Sequence, residues 1–161
     1  MGDNSPSLLA LAAAGDCDAQ GILRDELLME IANVESGYTL PILLSQAEVF
    51  ARLAAAQGTS NDTLKLVAVL VTHAEVCARD GRLDEAGHFE GEALGIIERV
   101  LISGNDEAIG LLAHAMTALA DRGNEIAAVL VGQMIDAMPR NSAAAISASA
   151  AALKSQMETQ S

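Results

Sequence analysis

Apolar positions along the chain recur at three- and four-residue intervals and are broken at regular points by glycine. After Gly81, Leu83, Ala86, Phe89, Ala93, Ile96, Ile97 and Val100 fall on one helical face. The stretch from Leu64 to Ala78 is apolar nearly all round, the pattern of a central helix covered on both sides. Its run Val67-Ala68-Val69-Leu70-Val71 also reads as a buried strand. The helical period, however, continues through His73, Ala74 and Cys77 without a turn signal, and this favours helix.

Gly15, Gly37, Gly58, Gly81, Gly104 and Gly123 each follow an apolar periodic segment. Most are followed by a residue suited to begin the next helix: Asp16, Thr59 and Ser60, Asn105, and Asn124. Glycine closes a helix in the left-handed conformation, and a short polar side chain opens the next by accepting a free N–H. Asp106 and Glu107 add negative charge in a first turn, where the helix dipole favours it. Helices of about 16–20 residues joined by such short turns pack as antiparallel neighbours. The pattern therefore predicts an all-α chain, an array of antiparallel helix hairpins with seven or eight helices. A helical domain is expected over residues 1–138. Residues 139–161, Ala- and Ser-rich after Pro139, form a last helix with a frayed tail that caps the same domain.

Composition sharpens this picture. Just over half of the 161 residues are apolar (51%), yet there are two Phe, one Tyr and no Trp. The core must come from Ala, Leu, Val and Ile, side chains that suit helices packed closely together. A formal net charge of −13, with nine scattered basic residues, argues against binding nucleic acid or an anionic membrane. No apolar run approaches the length of a membrane-spanning helix. Two cysteines, Cys17 and Cys77, lie far apart, and the first residues lack a signal peptide's positive region; both predict a reduced, cytoplasmic protein.

A helix–turn–helix period resembles the tetratricopeptide and Sel1-like repeats. The closest unit, about Val67 to Arg99, has Ala74 in its first helix, the turn Gly81-Arg82-Leu83-Asp84-Glu85-Ala86, and Ala93 in its second. A weaker copy has Gly123, Ala127 and Pro139. Ala14-Gly15-Asp16 and Phe50 to Gly58 are similar to Sel1 helix ends. The hairpin period here is 43 from Gly15 to Gly58 and 46 from Gly58 to Gly104. Both exceed the roughly 34 residues of a tetratricopeptide unit. The resemblance implies an α-solenoid that binds a protein or peptide, with Ala68, Val71, Glu75, Ala78 and Arg79 facing the groove. The basic and Asn clamp that some members use for a carboxylate terminus is absent.

Little in the chain points to chemistry. His73 and Cys77, four apart, share a helix face but supply half a tetrahedral metal site and no orienting third group for a nucleophile. Asp84, Glu85, Glu90, Glu92 and Glu98 read as a solvated face, and no glycine loop precedes Lys-Ser or Lys-Thr. No catalytic residue, metal or cofactor is expected. Gly87, Gly91 and Gly95 recur inside one helix, opposite its apolar face, at a cost of about 1 kcal/mol each relative to Ala. Either they mark an exposed face that tolerates glycine, or they form a smooth strip where a second helix approaches. The expected function is a non-enzymatic interaction module for a protein or peptide, using Gly87, Gly91, Gly95, Glu75 and Arg79. The alternatives are a self-assembling homodimer through the glycine face, and a small-molecule binder or enzyme using His73 and Cys77.

Overall fold

The computed structural model describes residues 6–34, 39–57 and 59–137. These hold seven helices and no strand: α1 (Leu8–Ala13), α2 (Cys17–Asn33), α3 (Thr39–Gln57), α4 (Ser60–Arg79), α5 (Leu83–Ser103), α6 (Asp106–Asp121) and α7 (Glu125–Ala137). The all-α expectation holds, and Val67–Val71, the one candidate strand, is helical. The expectations for Gly37, Gly58 and the segment 139–161 lie outside the described residues. No described helix is long and apolar enough to cross a membrane.

The predicted punctuation is realised in the backbone. Gly15, Gly81, Gly104 and Gly123 all have positive φ. Three of these turns share one hydrogen-bond pattern. The glycine N–H reaches back three residues and the next N–H reaches back five: Gly15 to Ala12 and Asp16 to Leu11, Gly81 to Ala78 and Arg82 to Cys77, Gly123 to Ala120 and Asn124 to Leu119. This paired closure is the Schellman motif, and it satisfies the last carbonyls of each helix. Asp16, Asn105 and Asn124 then accept the N–H groups of Ala19, Ala108 and Ala127 and open the following helices.

The chain divides into two compact units between Val69 and Leu70, within α4. In the first unit α1 and α3 both pack on α2. The thiol of Cys17 lies 3.8 Å from the Ala54 carbonyl and Gln57 Nε2 lies 3.4 Å from Gln20 Oε1. The start of α2 thus meets the end of α3, and the two run antiparallel. Ala47, Ala51 and Ala54 make a fully buried stripe on α3, joined in the core by Leu44, Leu64 and Val67. In the second unit α5, α6 and α7 pack on one another around Leu70, Ile97, Leu112, Met116, Leu130 and Met134. Asn124 helps hold that unit, its amide donating to the Val71 carbonyl at 3.4 Å. Leu83, expected on the buried face of α5, is instead exposed: it sits in the helix's first turn, beyond the apolar strip that Ala86 begins.

The first unit also buries a charge. Arg24, 2% exposed, donates from Nε to Asp25 at 2.9 Å and from Nη1 to Asp62 at 2.8 Å. Lys65 completes the group on Asp25 at 2.8 Å. The other oxygen of Asp62 accepts the backbone N–H of Thr59 at 2.9 Å and its hydroxyl at 3.1 Å, which caps the start of α4. Burial pushes the Asp62 carboxyl up, but hydrogen bonds from Arg24 and Thr59 outweigh it and hold the group below its ordinary value. Asp25 is likewise raised by burial but held low overall by Arg24 and Lys65.

A carboxylate whose folded pKa is depressed stabilises the fold above its unfolded value of about 3.9, and that contribution is lost as pH falls through the lower folded value. Asp62→Asn weakens the hydrogen bonds of a buried guanidinium and should destabilise the protein at neutral pH by about 2–3 kcal/mol. Thermal melts of wild type and variant should differ most at neutral pH and converge as the pH drops below about 4. A gap that stays constant down to acid pH would show that Asp62 is not held ionised by Arg24.

Candidate functional site

The first unit carries an open groove of about 460 Å³ where α1, α2 and α3 meet. Leu23 and Leu27 of α2 and Phe50 of α3 are half-buried along it, and Leu9 and Val49 stand exposed at its sides. Glu26, Glu30 and Gln46 supply its polar edge, and among the described residues no basic side chain lines it. Among the described residues neither Glu26 nor Glu30 has an ion-pair partner, and both are exposed. Helices form its walls, so the wall backbone is already hydrogen-bonded within each helix. The groove presents apolar surface and carboxylate charge.

The sequence did not single out this site. In the sequence Phe50 belongs to a helix end, and α2 shows no clean period: Gln20 and Arg24 are buried while Ile22 and Met29 are exposed. The one available signal was composition, since an aromatic-poor chain places one of its two Phe residues here.

The residues that the sequence did single out, Ala68 excepted, lie in the second unit. Glu75 and Arg79 come together as an ion pair at 3.1 Å, one helical turn apart. Glu75 is buried, whereas Arg79 is exposed and reaches the Gly123 carbonyl at 3.5 Å. Val71 is fully buried and Ala68 and Ala78 partly so. Arg79 alone of these five positions is exposed. Gly87, Gly91 and Gly95 lie along α5. A methyl group added at Gly87 or Gly91 would meet nothing within 4 Å, and one at Gly95 only the Arg99 side chain at 3.9 Å. Among the described residues, no neighbouring helix fills that strip.

His73 is buried with its ring stacked on Phe89, centroids 4.1 Å apart and planes 19° apart. His88 meets the same ring edge-on at 5.9 Å. Cys77 is buried, and neither it nor Cys17 forms a disulfide. Among the described residues no group of three or more His, Cys, Asp or Glu is placed to hold a metal ion. Against protein-family models, curated proteins and solved structures, the chain has no match.

The two kinds of glycine should respond to alanine in opposite directions. Gly123, at φ +89°, closes a turn that a Cβ strains, so Gly123→Ala should cost about 1–2 kcal/mol. Gly87→Ala and Gly91→Ala add a methyl in open space within a helix, and each should gain about 0.5–1 kcal/mol. Chemical denaturation of the three variants measures both signs. A loss of stability at Gly87 or Gly91 would mean that something covers the strip.

Proposed function

We propose that this chain is a non-enzymatic helical-repeat interaction module of the tetratricopeptide/Sel1-like kind, which binds a protein or peptide partner. The open apolar groove of the first unit carries the proposal. A groove of this size with an exposed Leu and Val and a half-buried Phe presents the anchors on which protein segments dock. The thrice-used glycine closure supports a repeated hairpin plan, because each copy ends and restarts a helix in the same way. Affinity capture at physiological salt should retain a specific protein on the wild-type chain and lose it on Val49→Glu. Val49 is 54% exposed, so the variant is expected to fold. Recovery of no specific protein, or of the same proteins on both baits, would overturn the reading.

Self-association through α5 is a second reading, favoured by the open strip at Gly87 and Gly91. Light scattering over a concentration series should then show a dimer that Gly87, Gly91 and Gly95 changed together to Ala disrupts. A monomer at all concentrations, or a dimer unaffected by the three changes, would remove this reading.

A further inference from the structure

The groove's chemistry narrows the class of partner, an inference that rests on the interaction-module reading above. Residues 1–69 contain nine acidic and three basic side chains. All three basic residues are committed inside the unit: Arg24 to Asp25 and Asp62, Arg52 to Glu48, and Lys65 to Asp25. Glu26 and Glu30, one helical turn apart on the groove's edge, are left without a cation among the described residues. Two like charges at this spacing repel each other and are stabilised by any cation brought between them.

The walls add a second constraint. They are helices whose backbone groups bond internally, so an extended peptide finds no strand edge to pair with and would leave its own N–H and C=O groups poorly satisfied against apolar side chains. A helix brings its backbone already paired. A second copy of this chain is disfavoured, since it carries a net charge of −13 to an acidic edge.

We infer that the groove between α1, α2 and α3 receives an amphipathic helix from a basic protein. The helix lays apolar residues on Leu27, Val49 and Phe50 and sets Lys or Arg side chains, one turn apart, against Glu26 and Glu30. The carboxylates orient the ligand and speed its encounter, and the apolar contacts hold it.

The test uses the full chain and a fluorescein-labelled synthetic Leu/Lys amphipathic helix with lysines one turn apart, followed by anisotropy at low and physiological salt. The Leu/Lys peptide should bind at least about tenfold tighter than its Leu/Glu counterpart. Val49→Glu should weaken it by at least about tenfold by placing a carboxylate against the apolar contact. The pair Glu26→Gln and Glu30→Gln should weaken it about fivefold and flatten its salt dependence. The pair Asp106→Asn and Glu107→Gln removes two exposed charges from the second unit and should leave binding unchanged. Equal weakening by the two charge pairs would reduce the effect to general attraction by an acidic protein and overturn the assignment. So would equal binding of the Leu/Lys and Leu/Glu peptides, no binding of either, or self-association lost on Val49→Glu, which would give the groove to a second copy. If the peptides fail while a captured protein still depends on Val49, the basic-helix class falls and the interaction-module reading stands.

Discussion

The first unit is organised around a charge that it cannot leave unanswered. Arg24 is buried on α2, and a guanidinium taken out of water costs several kcal/mol unless its donors are met. Asp25 and Asp62 meet them from two different helices, and Asp62 does so with one oxygen while its other oxygen caps α4. The start of α4 and the inner face of α2 are therefore fixed by the same carboxylate. Gln20, one turn earlier and equally buried, donates to the Ala12 carbonyl at 3.0 Å and brings α1 into register with that face. Once Gln20 and Arg24 define the inner side of α2, Leu23, Leu27 and Glu30 are left along the groove with α3.

Side-chain size explains why a groove remains there. The fully buried face of α3 is Ala47, Ala51 and Ala54, residues that let α2 approach closely but fill little volume. Phe50, three residues from Ala47 and four from Ala54, flanks that stripe half-buried, and Val49 stands exposed further round α3. The second unit solves the same problem differently. It fills its interior with Leu70, Ile97, Leu112, Met116, Leu130 and Met134, and places its Phe, Phe89, against a buried histidine ring. The stacked His73 imidazole and the edge-on His88 give that aromatic ring partners in a chain with few Phe or Tyr residues.

The sequence made the helix ends legible and left the groove obscure, for reasons that differ by residue. Gly81 and Gly123 could be read because a left-handed turn leaves few alternatives to glycine, and Asn105 and Asn124 because a helix start wants a short acceptor. α4 has 20 residues and α5 has 21, at and just beyond the long end of the expected length of about 16–20. In contrast, α2 buries Gln20 and Arg24 and exposes Ile22 and Met29, so a hydrophobic pattern cannot show which side faces inward. That side is set by Asp62, 38 residues away, and no local period encodes such a contact. The resemblance to shorter repeats implies a groove-facing Glu75. In this longer helix it is covered, and Arg79 one turn on reaches past it to the Gly123 turn.

The internal pairing that holds the first unit also polarises its surface. Arg24 is buried against Asp25 and Asp62, Lys65 pairs with Asp25 at a half-exposed edge, and Arg52 is held along α3 by Glu48. Residues 1–69 hold no Lys or Arg beyond these three. The carboxylates left outside, Glu26 and Glu30, stand beside the apolar groove because α2 must turn Arg24 the other way. A chain with basic residues to spare could neutralise that edge and close the groove with its own side chains. In the first unit all three cations are paired with carboxylates of the same unit, so the proposed basic helix would bring the counter-charge for Glu26 and Glu30 with it.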